Sequence, residues 1–506
     1  MADPAAIVVP PGAISIPLGD KPYSTAVISV GRELCENLYK EVSSSASAKA
    51  PYFYVKIPGL RLLSPQGSTS PCRGILTASN FRTFVAAGTT FAELFEDGSS
   101  SAISTALRTS TGPVSMADNG VHLLLVDGTD GWILDYETGA FTRLDSSLDA
   151  QAGFPAGATH CRCIDTYFLA NNPRTNQYGW SEPGDGLSWS GLNVGMKIGK
   201  PDNVIALEDC ANMLWVVGMN SIEVHYDTGD YANQLWSRYQ GAIIEVGCCA
   251  RYSVARYANN VFWLGVDNRG TVGVFTNDGF APKRISERGI EQIIQHDAYA
   301  DCVAFTFAQN GHAFYVMQFP TADRTLVYDL TVGCWYNWTY LRAEDGTIHR
   351  WRGSFAAYNW SRNLLGDTDT DAVYWSDQAA YANDNPDGSG VNYIRVVKTS
   401  PVGFQAGAWI RYNWFQPMFQ PGMGLPYDTA QGVGSDPVAM VAWSNDSGAT
   451  WSNERRVSLG RQGEYQKRSR VTMCGTSRNR QWRITVTDPS PVILVGLLAG
   501  VTALER

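Results

Sequence analysis

Charge is scarce in this sequence: Asp, Glu, Lys and Arg fill 17% of its 506 positions, against about a quarter in ordinary soluble domains. That scarcity excludes a solvated, disordered polymer. With 44% apolar and 12% aromatic residues there is material for more than one core, and the length sets two or three domains. Long apolar runs are missing too. The longest, from Pro491 to Leu504, is too short to span a bilayer and holds Gly496 and Gly500. Met1 to Ile16 show no basic start followed by an apolar stretch, so neither a secretory signal nor a membrane anchor is expected, and synthesis in the cytoplasm is.

The ten cysteines contain no C-x-x-C pair, which removes the common zinc and redox patterns. Cys161 with Cys163, and the neighbours Cys248 and Cys249, read as buried thiols. In a chain outside the secretory route, the Asn-x-Ser/Thr triplets at Asn337, Asn359 and Asn445 are chance matches. Catalytic signatures are also lacking. Gly199-Lys200 begins to suggest a phosphate loop, but the earlier Gly is absent and Pro201 stands where Ser or Thr belongs. There is no G-x-S-x-G elbow, no H-E-x-x-H and no G-x-G-x-x-G after a strand. The six histidines, His122, His160, His225, His296, His312 and His349, show no ligand spacing and read as structural. Asp367, Asp369 and Asp371 alternate as in a calcium loop but lack its central Gly and closing Glu, and read as a hairpin turn. The expectation is no catalytic residues, no cofactor and no metal.

What the sequence does have is 49 Gly, 24 Tyr and 16 Trp, a mix that suits pleated strands and tight turns. Between residues 80 and 380 one pattern recurs: an apolar run, a polar turn, and a second run ending in an aromatic. It appears in FRTFVAAGTTFAELFEDGS from Phe81, VHLLLVDGTDGWILDYETG from Val121, CIDTYFLA from Cys163 leading to QYGW at Gln177, and NMLWVVGMNSIEVHYDTGD from Asn212. Later instances are NNVFWLGVDNRGTVGVFTNDG from Asn259 and HAFYVMQFPTADRTLVYDLTVG from His312, with a weaker one, LLGDTDTDAVYWSD, from Leu364. Each is a β-hairpin by its alternation and turn residues. Their spacing of about 40–50 residues is that of propeller blades, and a ring of blades hides sheet edges. The fold predicted is all-β: a β-propeller of six blades, or seven if the hairpin at Leu364 is a blade of its own. One short helix is expected at SERGIEQIIQ, capped by Ser286 and burying Ile290, Ile293 and Ile294.

From Asn392 the strands lengthen, and in QWRITVTD the residues Trp482, Ile484 and Val486 alternate with Arg483, Thr485 and Thr487, predicting one buried and one wet face. This is read as a second, β-sandwich-like domain. The expected division is 1–60 an extended N-terminal arm contributing strands to a platform or interface, 61–382 propeller, and 383–506 the sandwich-like docking domain. NDNPDGSG from Asn383 is the expected linker, and the Gly/Pro-rich stretch from Phe419 a long loop.

The net charge of −9 argues against a free-standing nucleic-acid binder. From Trp451 to Arg506, however, ten Lys/Arg face four carboxylates, so that segment is +6 and the rest is −15. Arg455, Arg456, Lys467, Arg468 and Arg470 are therefore the candidate partner-docking residues, suited to an acidic neighbour. The sharpest local motif is SNDSGATW, with Ser444, Asp446, Gly448, Thr450 and Trp451 as a structural hairpin box: Asp446 accepts turn N–H groups, Gly448 takes positive φ and Trp451 packs beneath. The same box occurs in sialidases, but it stands here once and outside the blade repeats.

Three stretches carry a family resemblance: ELCENLYKEVS from Glu33; DGFAPKRISERGIEQII from Asp278 through GHAFYVMQFPTADRTLVYDLTVGCWYNW from Gly311; and GEYQKRSRVTMCGTSRNRQWRITVTDPSPVILVGLLAGV from Gly463. Together they resemble the packaged-DNA stabilisation, or tail hub (nozzle), proteins of short-tailed bacteriophages. The resemblance implies a non-enzymatic virion protein, assembled in the host cytoplasm. It also implies a hexameric ring that closes the DNA exit channel, retains the packaged genome and conducts it during ejection. Implied partners are further copies of the chain, the tail adaptor ring beneath the portal, tail fibres, spikes or needle, and passing double-stranded DNA held without sequence specificity. The alternative reading is a propeller glycan-binding or sialidase-like tail enzyme, and a third is a host cytoplasmic propeller scaffold.

Overall fold

The computed structural model describes residues 12–16, 23–24, 32–43, 50–65, 67–231, 234–267, 269–342, 346–388, 391–393, 396–403, 409–426 and 434–504. Seven four-stranded antiparallel units follow one another. Blade 1 spans 72–104, blade 2 115–143, blade 3 161–196, blade 4 204–244, blade 5 255–284 and blade 6 303–337. Blade 7 takes three strands from 353–377 and its outermost strand, Gly59–Ser64, from the other end of the chain. The first strand of each blade adjoins that of the next, and Gly353–Asn359 meets Cys72–Thr77 to close the circle.

The structure thus has seven blades, not six. The hairpin at Leu364 is a blade of its own, and its completing strand lies about 300 residues away in the chain, where no local pattern links the two. The alternation that marked the hairpins has a direct cause: inward residues of neighbouring blades pack face to face. Leu124, Val126 and Ile133 of blade 2 bury against Phe168 and Ala170 of blade 3. At about 25 cal/mol per Å2 each such side chain contributes on the order of 2 kcal/mol. Hairpin turns are closed by residues with left-handed backbone, among them Ala211 with Asn212 and Trp360 with Ser361.

The helix forms as Arg288–His296 with Ile290 and Ile294 fully buried and Ile293 partly so. Its N-cap is Glu287 rather than Ser286, and no side chain caps it. The Ser286 hydroxyl is engaged elsewhere, accepting from Val274 N and donating to Glu291 Oε1.

Two sheets form the second β-unit, and the N-terminal strands are built into both. One sheet runs Leu38–Val42, Tyr52–Lys56, Ile493–Leu504, Trp409–Phe419 and Val471–Thr472, with Ala13–Ile16 pairing to the Ile493–Leu504 strand. The other is a continuation of blade 6. Its last strand, Cys334–Asn337, joins Arg32–Glu36 in parallel at Glu36 and Asn337. From there the sheet passes through Val396–Gly403, Asn479–Val486 and Val438–Ser444 to the edge strand Arg455–Ser458; with Tyr23–Ser24 pairing to Arg32–Glu36 beside this path it has ten strands in all.

Between the two sheets Phe415 stacks on Trp482 with ring centroids 3.9 Å apart. One core runs from Phe314, Trp338 and Trp351 through Tyr39 and Tyr54 to Phe415 and Trp482. Thr485 is buried at 2% exposure, so the second face of that strand is not simply wet. The strand lies in the middle of the sheet with neighbours on both sides.

The residues expected to form a linker begin as an ordered strand. Ala382–Asp384 pairs with Val391–Tyr393, while Asn383 Oδ1 and Asp384 Oδ2 accept from the backbone of Leu60 and Leu62. Ser389 and Gly390, most of the Ser/Ala run after Val42, and 427–433 of the long loop lie outside the described residues.

Candidate docking surface

The hairpin of Val438–Ser444 and Arg455–Ser458 presents the basic segment, and its turn is fixed by hydrogen bonds. Ser444 Oγ donates to Asp446 Oδ1 at 2.5 Å and accepts from Gly448 N at 2.8 Å. Thr450 donates to Asp446 from its backbone N at 2.9 Å and from its hydroxyl at 2.5 Å. These bonds, led by that from Ser444, hold the Asp446 carboxyl down at about 2. Gly448 has φ +92°, and a Cβ there would come within 2.8 Å of Gln481 Oε1. Trp451 is half-buried, with the Arg483 guanidinium 4.5 Å from its ring centre.

The five candidate cations come together along the edge strand Arg455–Ser458 and the segment after it, which Ser469 Oγ ties back by donating to Ser458 O. They are not equivalent. Arg455 lies 4.9 Å over the Trp443 ring and donates to Thr472 O. Arg470 lies 4.1 Å over Trp414 and donates twice to Gln416 Oε1. Lys467 faces Glu464 at 3.7 Å. Arg456 and Arg468 are exposed, and their side chains have no hydrogen-bond or ion-pair partner among the described residues. These two present free charge, while Arg455 and Arg470 are also packing groups.

Arg480 was invisible as a special case in the sequence. It is 1% exposed, and its guanidinium donates to Asn445 Oδ1, Cys474 O and Thr476 O, with Tyr412 at 4.4 Å and Trp482 at 5.3 Å. Its partners are neutral acceptors and aromatic faces rather than a carboxylate, and burial pulls its pKa below the usual arginine value. Its signal in the sequence is only the alternation Arg480, Trp482, Ile484, which puts Arg480 on the core face.

The histidines do not converge: His122, His160, His225 and His312 are buried, His349 is half-buried and His296 is exposed. His160 stacks on Tyr252 and burial depresses it to about 3. His225 pairs with the Tyr178 hydroxyl at 2.8 Å. His312 bridges Asp329 and Glu41, joining blade 6 to the strand Leu38–Val42. At the acidic turn, Asp367 accepts from Arg352 Nε and Thr370 Oγ1, and Asp371 from the backbone of Gly67 and Ser68. Those carboxylates serve the blade 7 turn. Among the described residues no group of three or more His, Cys, Asp or Glu is placed to hold a metal ion. Nor is any helix there long and apolar enough to cross a membrane.

A family model described as the β-propeller of bacteriophage P22 Gp10 matches residues 14–381, and one described as the β-sandwich of the same protein matches 400–502. No curated protein matches by sequence. Among solved structures, the computationally designed Ika8 protein aligns at 12% identity over 63% of this chain and 100% of its own, TM-score 0.39. The N-terminal domain of Nup159 aligns at 10% over 69% and 99%, TM-score 0.38. Hydrazine synthase of Kuenenia stuttgartiensis aligns at 8% over 62% and 95%, TM-score 0.39.

Proposed function

Because the chain belongs to the bacteriophage P22 Gp10 family of phage structural proteins, we propose that it is a subunit of a hexameric ring in the phage tail, the hub or nozzle that closes the DNA exit channel. In this role the ring retains the packaged genome and conducts it on ejection. Its neighbours are the adaptor ring beneath the portal and the fibres, spikes or needle below. The protein works by shape, not by turnover.

One observation carries this reading beyond the family match: blade 6 and the sandwich share a ten-stranded sheet, and one hydrophobic cluster runs from blades 6 and 7 into the sandwich. A joint of that kind makes each subunit a stiff block, suited to a ring that must withstand the pressure of confined DNA. The arginine-bearing edge of the sandwich, in a chain otherwise −15, supports docking to an acidic neighbour. DNA in transit is held weakly, since a lumen rich in Lys and Arg would bind phosphates and slow ejection. Electron microscopy of the purified chain is expected to reveal six-fold rings with a central hole, and particles lacking the protein should package DNA and then leak it. Monomers at all concentrations together with DNA-tight particles lacking the protein would overturn the reading.

A further inference from the structure

Blades 3 and 4 enclose a cleft of 670 Å3, inside the roughly 300–1000 Å3 range of ligand sites. Its walls are held by buried contacts. Tyr178 Oη stands 2.8 Å from His225 Nδ1 across the two blades. Just past the strand Val194–Met196, Lys197 is fully buried against Asp202, Ser221 and Lys200 O. Neither wall has to order itself around a ligand.

The cleft is lined by flat rings and by polar groups with spare hydrogen-bonding capacity. Trp180 from blade 3 is half-buried, and Tyr231 from blade 4 is 66% exposed. Asn193 Nδ2 donates to Glu182 Oε1 at 3.0 Å, which fixes both side chains and leaves Glu182 Oε2 and Asn193 Oδ1 open as acceptors. Trp180 Nε1 and the Gln240 amide have no hydrogen-bond partner among the described residues. Burial pushes the Tyr167 phenol up, and Tyr231, Asp227 and Glu182 add to the rise. That marks these groups as neighbours and keeps Tyr167 a neutral hydroxyl.

Charge in the cleft is nearly balanced. Among the described residues Glu182 is the only carboxylate and Arg238 the only lysine or arginine that line it. Arg238 already lies near Glu223 of its own blade, since a Cβ at Gly199 would meet both Arg238 Nη1 and Glu223 Oε1.

We propose that the cleft between blades 3 and 4 binds an uncharged oligosaccharide. The site does not depend on assembly into a ring.

The lining separates the classes of ligand. A phosphate or other polyanion would meet Glu182, and the one cation is offset by Glu223. A lipid chain would desolvate Trp180 Nε1, Glu182 Oε2 and Asn193 Oδ1 without replacing their hydrogen bonds, at a cost for each. A sugar hydroxyl both donates and accepts, so a saccharide satisfies carboxylate, amide and indole N–H together. Its C–H faces lie against the rings of Trp180 and Tyr231. The rival is an extended polypeptide added along the edge strand Val194–Met196, where Leu192, Met196 and Ile198 are exposed. It would cover those aliphatic groups and leave the polar ones in the cleft unpaired. The site binds rather than cleaves, because glycoside hydrolysis ordinarily uses a pair of carboxylates flanking the bond and one lines this cleft.

The test titrates the full chain with uncharged trisaccharides of glucose, galactose, mannose and N-acetylglucosamine, followed by saturation-transfer NMR and calorimetry. At least one should bind saturably, with a Kd of about 1 mM or tighter. Tyr231→Ala removes an exposed ring, and Glu182→Gln removes the charge while keeping an acceptor for Asn193. Each should weaken binding about tenfold and leave melting and sedimentation unchanged. No trisaccharide should be shortened on long incubation.

A parent chain that binds none of these sugars saturably overturns the inference. So does binding that survives both substitutions, which places the sugar elsewhere. Shortening that Glu182→Gln abolishes overturns the site as one that only binds. Protection of the Val194–Met196 amides by a synthetic peptide of alternating valine and threonine, with no sugar bound, gives the cleft to a polypeptide and overturns it too. Rings that form without binding sugar leave the ring reading standing, and monomers that bind sugar leave this one standing.

Discussion

His312 Nδ1 stands 2.7 Å from Asp329 Oδ2, a carboxylate with no exposure of its own, while Nε2 of the same ring reaches Glu41 Oε2 at 2.5 Å. Carboxylates on both nitrogens require both to carry protons, so this is an imidazolium. The hydrogen bond to Asp329 is the largest influence raising its pKa. Since the folded-state value is raised, the stabilisation is complete below the unfolded pKa of about 6.5 and is lost as pH rises through the folded value. The melting temperature should therefore fall as pH is taken upward past that point. His312→Asn should remove the slope and lower stability by about 2–4 kcal/mol, because Asp329 is left buried without its cation. Thermal melts of both proteins between neutral and alkaline pH check this.

The turn at 444–451 makes a prediction of opposite pH sense. Asp446, held at about 2, contributes stability present above the unfolded pKa and lost as pH falls through that lower value. Asp446→Ala should lower the melting temperature at neutral pH and narrow the gap to the parent in strong acid. Gly448→Ala forces a Cβ onto a left-handed backbone and toward Gln481 Oε1, and should cost about 1–2 kcal/mol. Parent-like melting of both would remove the turn from the stability of the sandwich.

Arg480→Lys keeps the charge and loses the planar fork that serves Asn445, Cys474 and Thr476. It should destabilise by about 2–4 kcal/mol. Chemical denaturation with an unchanged m-value is the expected signature.

On the basic edge, Arg456→Glu with Arg468→Glu should weaken docking to the neighbouring tail ring in a salt-sensitive way and leave melting unchanged, since neither side chain has a partner among the described residues. Exposed pairs contribute about 0–1 kcal/mol each, so the two are reversed together. Adding Arg455→Glu and Arg470→Glu should also lower stability, because these stack on Trp443 and Trp414. Particles that assemble and hold DNA normally with all four reversed would leave this edge a solvated face.

What the sequence disclosed was whatever is encoded within a few dozen residues. Hairpins such as His122–Val126 with Gly131–Asp135 alternate plainly, and SNDSGATW announces its own turn. What it concealed was pairing at long separation. Nothing near Gly59–Ser64 points to Val373–Asp377, and nothing near Glu36 points to Asn337. A strand face exposes its character but not its neighbour, so the sequence predicts that the arm contributes strands to a platform or interface but not which strands they pair with; they complete both sandwich sheets.

The way blade 7 is closed sets a timetable for synthesis. Gly59–Ser64 leaves the ribosome early and its partner Val373–Asp377 late. At about 5–20 residues per second the first strand waits roughly 15 s or more for the second. Through that interval six blades can stack in order of emergence, yet the circle stays open and the waiting strand remains an unpaired edge. Among the seven blades, the stitching of the first blade-forming strand to the last spans the greatest length of chain, so loop-closure entropy makes blade 7 the last to complete and the one most exposed to misassembly between nascent chains.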